Sequence, residues 1–262
     1  LDSLSGHVRI PREGDLVRRL ALLFLLLMLP ASAAVGTPIN HGDFVGITTK
    51  FLDVTEATQT GDDPDELWGA PTLVGDQLLF FPLAFSATAA GAGGADSTLS
   101  LLTTTIEAKP NQTLDAIQLT EYGDTTLSGS GTNVTRTAVS MSGFVTVTED
   151  INGLIVPVII PFAGVIVPGG NFDLIADPGT TLWSGSFFID IAAIVPNATV
   201  ATLSFNNQLD AFSEESSSAS IQKKVVSGPA VSVSVIPEPG TALLVGIGLT
   251  ALGMRRSKNR RA

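Results

Sequence analysis

The chain has 262 residues, of which 44% are hydrophobic and only 15% are charged, and it contains no cysteine. A chain without cysteine has no disulfide, no thiol nucleophile and no Cys-based zinc site, so its stability depends on burial of apolar side chains. The stretch from Val35 to Ile236 carries 5 Lys or Arg against 21 Asp or Glu, a net charge of −16, and so acidic a surface excludes nucleic acid as a partner.

The N-terminal segment has the three parts of a secretory signal peptide. Two arginines precede an uninterrupted apolar run, Leu20–Leu29, which is followed by a proline and small residues that end at Ala34. The run is shorter than the roughly 20 residues that span a bilayer. A basic patch, a short apolar helix and a small-residue cleavage site together are typical of export signals. We therefore predict a leader and signal peptide over residues 1–34, in which residues 1–16 would be untranslated if synthesis starts at Val17.

Between the two ends, apolar and polar residues alternate in short runs that Gly, Pro, Asn and Asp interrupt. Alternation with a period of two and one polar face predicts antiparallel strands. The predicted strands are Phe44–Thr55, Gln77–Thr88, Thr98–Ala108, Leu114–Tyr122, Ala138–Thr148, Leu182–Ile191, Ala201–Asn206 and Val231–Val235. The clearest apolar faces are those of Val139, Met141, Val145 and Val147, of Ala201, Leu203 and Phe205, and of Val231, Val233 and Val235.

This pattern predicts an all-β fold. At least eight strands without a helical period between them indicate a single antiparallel β-sandwich, either jelly-roll-like or Ig-like. We assign the sandwich to residues 35–235, with a signal helix before it and a short transmembrane helix after it.

Two segments of the body are less regular. The apolar stretch Leu154–Val167 contains prolines that exclude a membrane helix. We interpret it as buried edge strands, with an exposed binding patch as the alternative. The segment Ser213–Ser220 is rich in serine and glutamate, which predicts a polar turn or a flexible loop.

An acidic turn at Gly61–Glu66 is the one local feature that suggests a metal. Calcium binds six to eight oxygens at about 2.3–2.6 Å, and carboxylates close together can supply several of them. The candidate ligands are Asp62, Asp63, Asp65 and Glu66, although the EF-hand spacing is absent. Our preferred interpretation is a solvated loop, so calcium is the only cofactor candidate and no cofactor is expected.

The body offers no catalytic constellation, and we predict that the protein is not an enzyme. His41 is the only histidine after the signal peptide, no G-x-S-x-G motif is present, and we interpret His41 as a mobile or turn-region residue. Two tryptophans and one tyrosine are few for a sugar-processing cleft. A glycosidase needs two paired carboxylates, and no pair stands out among Glu56, Glu66, Glu121 and Glu149.

The C-terminal end has the most specific pattern in the chain. Pro237, Glu238 and Pro239 lead into the apolar run Thr241–Met254, and a cluster of arginines and lysine follows. The prolines end any strand that arrives from the body. A helix of these fourteen apolar residues would be about 21 Å long, shorter than the ~30 Å hydrocarbon core, which suits a temporary anchor. The basic cluster would stay on the cytoplasmic side.

The tripeptide, the short apolar helix and the terminal basic cluster together resemble the PEP-CTERM sorting signal over about residues 236–262. The resemblance implies that Pro237, Glu238 and Pro239 are recognised by an exosortase, a membrane-embedded processing enzyme of Gram-negative bacteria that usually also make exopolysaccharide. It implies export across the inner membrane, transient anchoring there, and a final location at the cell surface or in the extracellular matrix. Three body segments also resemble parts of proteins that carry this signal: Phe51–Glu56, Glu66–Pro71 and Glu121–Asp124.

Two functions are consistent with these features. We expect an exported, non-enzymatic protein of structural or interaction type at the cell surface or in the extracellular matrix. The alternative is a carbohydrate-binding module for exopolysaccharide, assisted by calcium.

The sorting segment leads to a direct test by substitution of its tripeptide. If Pro237, Glu238 and Pro239 are the recognition residues, their replacement by Ala should leave the full-length protein in the inner membrane. The unaltered protein should be recovered outside that membrane without Thr241–Ala262, as judged by mass spectrometry of the secreted fraction. An intact C-terminus on the secreted protein would contradict the prediction.

Overall fold

A computed structural model describes residues 36–224 and 229–236, and all regular structure in this part of the chain is β-strand. The predicted signal helix and transmembrane helix lie outside these residues, and no helix within them is long and apolar enough to cross a membrane. The prediction of an all-β body is confirmed. The strands are β1 (Ile39–Asn40), β2 (Phe44–Val45), β3 (Thr49–Thr58), β4 (Thr72–Val74), β5 (Gln77–Phe80), β6 (Ser86–Ala90), β7 (Gly94–Ala108), β8 (Ala116–Gly129), β9 (Arg136–Asp150), β10 (Gly153–Ala163), β11 (Val165–Val167), β12 (Asn171–Asp173), β13 (Gly179–Asp190), β14 (Ala198–Ser213), β15 (Ser217–Lys223) and β16 (Val231–Ile236).

The strands form two antiparallel sheets that pack as a sandwich. The first sheet has the order β1-β3-β7-β14-β9-β10, with β2 beside β3 and β12 beside β9. The second has the order β11-β13-β8-β16-β5-β4, and β15 joins β8 to β6. Residues from both sheets make one hydrophobic core, so the predicted sandwich is confirmed. Its jelly-roll-like or Ig-like subtype stays a prediction.

The predicted alternation places the apolar residues in this core. Strand β14 is the centre of the first sheet, between β7 and β9, and Leu203 and Phe205 on it are fully buried. Each buried side chain of this size contributes about 1.5–3 kcal/mol. The other residues that were expected on apolar faces are also buried: Val139, Met141, Val145, Val147, Ala201, Val231, Val233 and Val235.

Two of the predicted strands are each interrupted in the structure. The run Phe44–Thr55 becomes β2 and β3, because the chain turns at Gly46, where a Cβ would lie 2.4 Å from Asp76 Oδ1. The run Gln77–Thr88 becomes β5 and β6. Pro82 lies between them, and a proline has no N–H to give to a sheet.

The prediction of a turn or loop over Ser213–Ser220 is wrong for its second half. Strand β15 begins at Ser217, and Ser217, Ala219 and Ile221 face the core. The hydroxyl of Ser217 lies 2.6 Å from that of Thr135, so a serine can be buried here with its hydrogen bond made. The amino-acid composition predicted a solvent-exposed segment here, because composition does not show which serine hydroxyl groups have hydrogen-bond partners in the folded protein.

The prediction for Leu154–Val167 is correct in its strands and wrong in its burial. The segment forms β10 and β11, which lie at the edges of their sheets. Ile160 is the only buried residue of β10, whereas Leu154 and Val156 are 84% and 86% exposed. An edge strand has a neighbour on one side only, and the register of β10 shifts between Leu154 and Val158, so its side chains turn outward. The structure therefore supports the exposed patch that the sequence left as the alternative.

The core is organised around Trp68, which lies in the connection between β3 and β4. Its ring contacts Phe205 of the first sheet at 5.5 Å, and Phe80 and Phe85 on the side of the second sheet at 5.8 and 5.1 Å, in edge-to-face geometry. Such pairs add about 0.5–1.5 kcal/mol beyond area burial. The indole N–H donates to Ser100 Oγ at 3.0 Å. Trp68 is therefore held by both sheets.

A carboxylate links the two sheets at the turn of the β4–β5 hairpin. Asp76 accepts hydrogen bonds from the backbone and hydroxyl groups of Thr48 and Thr49, at 2.8–3.0 Å for the shortest from each donor. Burial by itself would raise the pKa of Asp76, but these hydrogen bonds outweigh it and hold the pKa below its ordinary value.

This link predicts a specific dependence of stability on pH. The pKa of Asp76 is lower in the folded state than in the unfolded state. The stabilisation that the ionised carboxylate gives to the fold is therefore complete above the ordinary aspartate pKa, about 3.9, and it is lost as the pH falls through the folded-state pKa. Asp76→Asn should lower the free energy of unfolding at neutral pH by about 2 kcal/mol, and its difference from the wild type should shrink on acidification. Urea denaturation over a pH series measures both.

Glu215→Gln serves as the control, because Glu215 is an exposed carboxylate on the loop before β15. It should change neither the stability at neutral pH nor the acid dependence. A difference between Asp76→Asn and the wild type that stays constant at every pH would contradict the proposed role of the ionised carboxylate.

Candidate functional site

The sorting tripeptide Pro237–Pro239 lies outside the described residues and stays a prediction. Within residues 36–224 and 229–236, one group of side chains has the composition of a metal site. It consists of His41, Glu56 and Glu66, whose potential ligand atoms all lie within 4.8 Å of one another.

Strand pairing brings His41 and Glu56 together. Ile39 of β1 is opposite Glu56 of β3, and the backbone N–H of His41 donates to Val54 O at 2.7 Å. His41 Nε2 then lies 3.0 Å from Glu56 Oε1. These contacts hold the imidazole of His41 beside the carboxylate of Glu56 without a metal ion.

The carboxylate of Glu56 is fully buried, and its second oxygen is also engaged. Glu56 Oε2 accepts hydrogen bonds from the backbone N–H groups of Leu67 and Trp68 at 3.0 and 2.6 Å. A buried carboxylate needs such partners, because an unpaired charge in the core is strongly destabilising. Glu56 therefore attaches the β3–β4 connection to β3 and presents Oε1 to His41.

The exposed residue Glu66 completes the group from the same connection. One imidazole nitrogen and two carboxylate oxygens suit zinc or another first-row transition metal, which accepts both ligand types. Calcium prefers oxygen ligands alone and more of them. The geometry thus favours a transition metal here, with an open side towards solvent at Glu66.

The sequence interpretation of His41 needs correction. The residue directly follows β1 and continues its pairing with β3, because the N–H of His41 donates to Val54 O and the N–H of Val54 donates to Gly42 O. Its side chain is only 5% exposed and contacts Glu56, so the residue is neither mobile nor in a turn. The sequence shows no second histidine after the signal peptide, so it gives no sign of a metal site at His41. The missing partners, Glu56 and Glu66, were two of the four carboxylates that it could not distinguish, and only the β1–β3 pairing brings them to His41.

The acidic turn does not gather its four carboxylates around one point. Asp63 accepts hydrogen bonds from the hydroxyl groups of Thr60 and Thr98, and burial raises its pKa. Asp65 Oδ1 accepts from the backbone N–H of Thr37 at 3.2 Å. The two remaining acids have separate surroundings: Glu66 contributes to the group with His41, and Asp62 lines a shallow surface cavity with Asp96.

Comparisons with known proteins do not identify the chain. No protein-family model and no curated protein matches it. Among solved structures it is similar to TmCBM61 in complex with beta-1,4-galactotriose, at 9% identity over 55% of this chain and 70% of that one, with a TM-score of 0.17. It is also similar to Trichoderma harzianum Endoglucanase 3 from family GH12, at 10% identity over 79% and 100%, with a TM-score of 0.20. The VP2 subviral particle of infectious bursal disease virus gives 11% identity over 79% and 58%, with a TM-score of 0.14. Similarities this low carry no argument about function.

The ligand set predicts a response to zinc that calcium does not reproduce. Zn²⁺ at about 100 times its dissociation constant should raise the free energy of unfolding by about 2.7 kcal/mol, because it binds the folded state alone. Glu66→Gln should abolish most of this gain and leave the metal-free stability unchanged, since Glu66 is exposed. Thermal unfolding with and without each metal, at matched ionic strength, measures the effect.

The acidic turn provides the control for this experiment. Asp62→Asn/Asp65→Asn should keep the zinc response, and Ca²⁺ should produce only the general screening that sodium also produces. A saturable calcium response that this double variant loses would contradict our assignment and would favour the calcium candidate over the solvated loop that we preferred for the acidic turn.

Proposed function

We propose that this chain is an exported protein of the cell surface or extracellular matrix, whose β-sandwich makes contacts and is not an enzyme that turns over a substrate. Its export and sorting would depend on the N-terminal signal and on Pro237, Glu238 and Pro239. The observation that supports a contact-making role is the exposed apolar edge formed by β10 and β11.

This edge is uncharged in a strongly acidic protein. No Asp, Glu, Lys or Arg occurs between Asp150 and Asp173, whereas the body as a whole has a net charge of −16. Exposed apolar residues that are contiguous usually mark an interaction surface. The exposed apolar side chains of the two strands are Leu154, Val156, Ile159, Val165 and Val167.

The two sheets extend this surface on either side. Phe144 on β9 lies opposite Pro161 of β10 and is 45% exposed, and Phe188 on β13 is 59% exposed. Pro157 and Pro161 have no N–H, so a partner strand cannot pair continuously along β10. We infer that the edge binds through side chains and not by strand addition.

A second copy of the chain is the partner that this chemistry fits best. Two bodies with a net charge of −16 repel each other wherever their acidic faces meet. The β10–β11 edge lacks that repulsion and offers apolar area to bury. Association through this edge would give the contacts that a structural protein of a matrix needs.

The alternative is a carbohydrate-binding module for exopolysaccharide. Trp68 and Trp183 are both buried and offer no face to a sugar. The outer face of the second sheet, however, carries the exposed rings of Tyr122 and Phe188 beside serine and threonine residues. Ring faces with nearby hydroxyl groups are the chemistry that stacks on sugars, which is the observation that favours this alternative.

The self-association proposal predicts that charge on the edge prevents it. Leu154→Asp/Val156→Asp should weaken association by about a hundredfold, because two apolar side chains of about 1.5 kcal/mol each no longer become buried. Sedimentation velocity of the wild type and of the variant over a concentration series measures the change.

Val74→Asp/Leu83→Asp is the matched control, since both residues are exposed and apolar but lie away from β10 and β11. It should associate like the wild type. A wild type that stays monomeric at all concentrations would contradict the proposal. Binding to the polysaccharide of the producing cell that is lost in Tyr122→Ala/Phe188→Ala, but kept in Phe81→Ala, would favour the alternative.

A further inference from the structure

A lysine and a glutamate lie buried together inside the sandwich. Lys223, at the end of β15, and Glu121, on β8, both belong to the second sheet, and their side chains are fully inaccessible to solvent. Lys223 Nζ contacts Glu121 Oε2 directly. Burial of two charges costs several kcal/mol per ion unless other groups compensate them, so this pair requires a reason.

The opposite sheet supplies a third polar side chain. Asn207 lies on β14 of the first sheet and is fully buried, and its Nδ2 donates to the same oxygen, Glu121 Oε2. One carboxylate oxygen therefore contacts both the amine of Lys223 and the carboxamide nitrogen of Asn207. Among the described residues, Glu121 is the only carboxyl group hydrogen-bonded to either of them.

Aromatic rings surround the amine on its other sides. Lys223 Nζ lies 4.9 Å from the ring centre of Phe85, 5.2 Å from that of Trp68 and 5.6 Å from that of Trp183. These rings exclude water, and burial lowers the pKa of Lys223, although Glu121 partly opposes the shift. The site therefore favours an unprotonated amine more than an exposed position would, and an unprotonated amine is a nucleophile.

Several polar atoms of this cluster have no hydrogen-bond partner. Buried side-chain atoms without a partner are few in native proteins. In the part of the chain that the structure describes, four are found, and three of them belong to this cluster: Glu121 Oε1, Trp183 Nε1 and Asn207 Oδ1. An ordinary buried ion pair leaves these atoms unexplained.

We propose that Lys223 and Asn207 become joined by an amide bond between their side chains, and that Glu121 transfers the proton in this reaction. The cluster would thus be a self-modification site that cross-links the two sheets. The proposal is independent of the partner of the β10–β11 edge.

The reaction balances without any further reagent. The starting state has the amine of Lys223 uncharged and the carboxyl group of Glu121 protonated, which is the neutral form of the ion pair. The lone pair of Nζ attacks Cγ of Asn207, and the new C–N bond forms. Glu121 Oε2 takes a proton from the attacking nitrogen, and Glu121 delivers one to Nδ2. The bond from Cγ to Nδ2 then breaks, ammonia leaves, and Glu121 ends in its initial protonation state.

The chemistry favours Asn207 over Glu121 as the acceptor. An amide between Lys223 and Glu121 would consume the only acid that contacts the amine in the described residues, and no group would remain to transfer protons. With Asn207 as the acceptor, the oxygen of Glu121 already contacts both the attacking and the leaving nitrogen. Proximity of this kind replaces a bimolecular encounter by an intramolecular step.

The cross-link would serve a chain that has no cysteine. It would connect β14 of the first sheet to β15 of the second through the core, where a disulfide is excluded. It would also replace a buried ion pair with a neutral amide, which is less costly to keep out of water.

Mass spectrometry of the full chain tests the proposal directly. The purified protein is denatured and digested with trypsin and with a protease that cuts after glutamate. Cleavage at Glu214 and Glu215 separates Asn207 from Lys223 in an unlinked chain. We expect the fragment Asp150–Glu214 to remain joined to Ser216–Lys224, with a mass lower than the sum of the two by about 17 Da, one ammonia.

Variants assign the roles within the reaction. Glu121→Gln removes the proton-transfer group and should abolish the joined fragment, and Lys223→Met should abolish it as well. Lys224→Met is the matched control, because Lys224 is exposed beside Lys223, and it should leave the link intact. If the buried variants fail to fold, the wild-type digest still decides the question.

Three results would overturn the proposal or one of its parts. Separate fragments of unmodified mass from the wild-type protein would show that no bond forms. A link from Lys223 to the fragment that contains Glu121, with loss of about 18 Da, one water, would show that the acceptor is not Asn207. A joined fragment that persists in Glu121→Gln would reject the role of Glu121 in proton transfer.

Discussion

The burial of Trp68 between the two sheets connects the hydrophobic core to the carboxylate of Glu56 and to the buried amine of Lys223. Its ring packs against phenylalanines on both sides of the sandwich, and its backbone N–H donates to the buried carboxylate of Glu56. The same ring is one wall of the pocket around Lys223. The metal-competent group and the buried amine are therefore both built on one aromatic residue. Loss of its ring would leave a large cavity, which in other cores costs about 3–5 kcal/mol.

Two buried carboxylates connect distant segments of the fold. Within residues 36–224 and 229–236, Glu56 and Glu121 are the only fully buried acidic groups, and most of the others lie on the surface, where water solvates them. Each of the two is compensated by N–H groups that come from a different part of the chain. A buried carboxylate with such partners holds distant segments together, because separating it from its partners would leave its charge without compensation in the core. In this chain without cysteine, the two buried carboxylates connect segments that are distant in the sequence, as disulfides do in other proteins.

The exposed apolar edge contrasts with this closed core. Apolar side chains of β10 and β11 are exposed because no further layer of the described part of the protein covers them. Pro157 and Pro161 interrupt the row of N–H groups along β10 that could otherwise pair with another strand. Pairing along an edge recruits strands indiscriminately, whereas side-chain contact depends on a complementary surface. The proposed self-association through this edge would therefore not recruit strands of unrelated proteins.

The sequence by itself determined the fold class, because period-two alternation depends only on which residues are apolar, and the faces of β9, β14 and β16 could be read in advance. It also determined the sorting prediction, since a linear signal needs no fold. Tertiary structure decided the rest, because His41, Glu56 and Glu66, and likewise Glu121 and Lys223, are far apart in the chain and meet only through strand pairing and sheet packing. Tertiary structure also decided the burial of β15 and the exposure of β10, because β15 has a neighbouring strand on each side and β10 lies at the edge of its sheet.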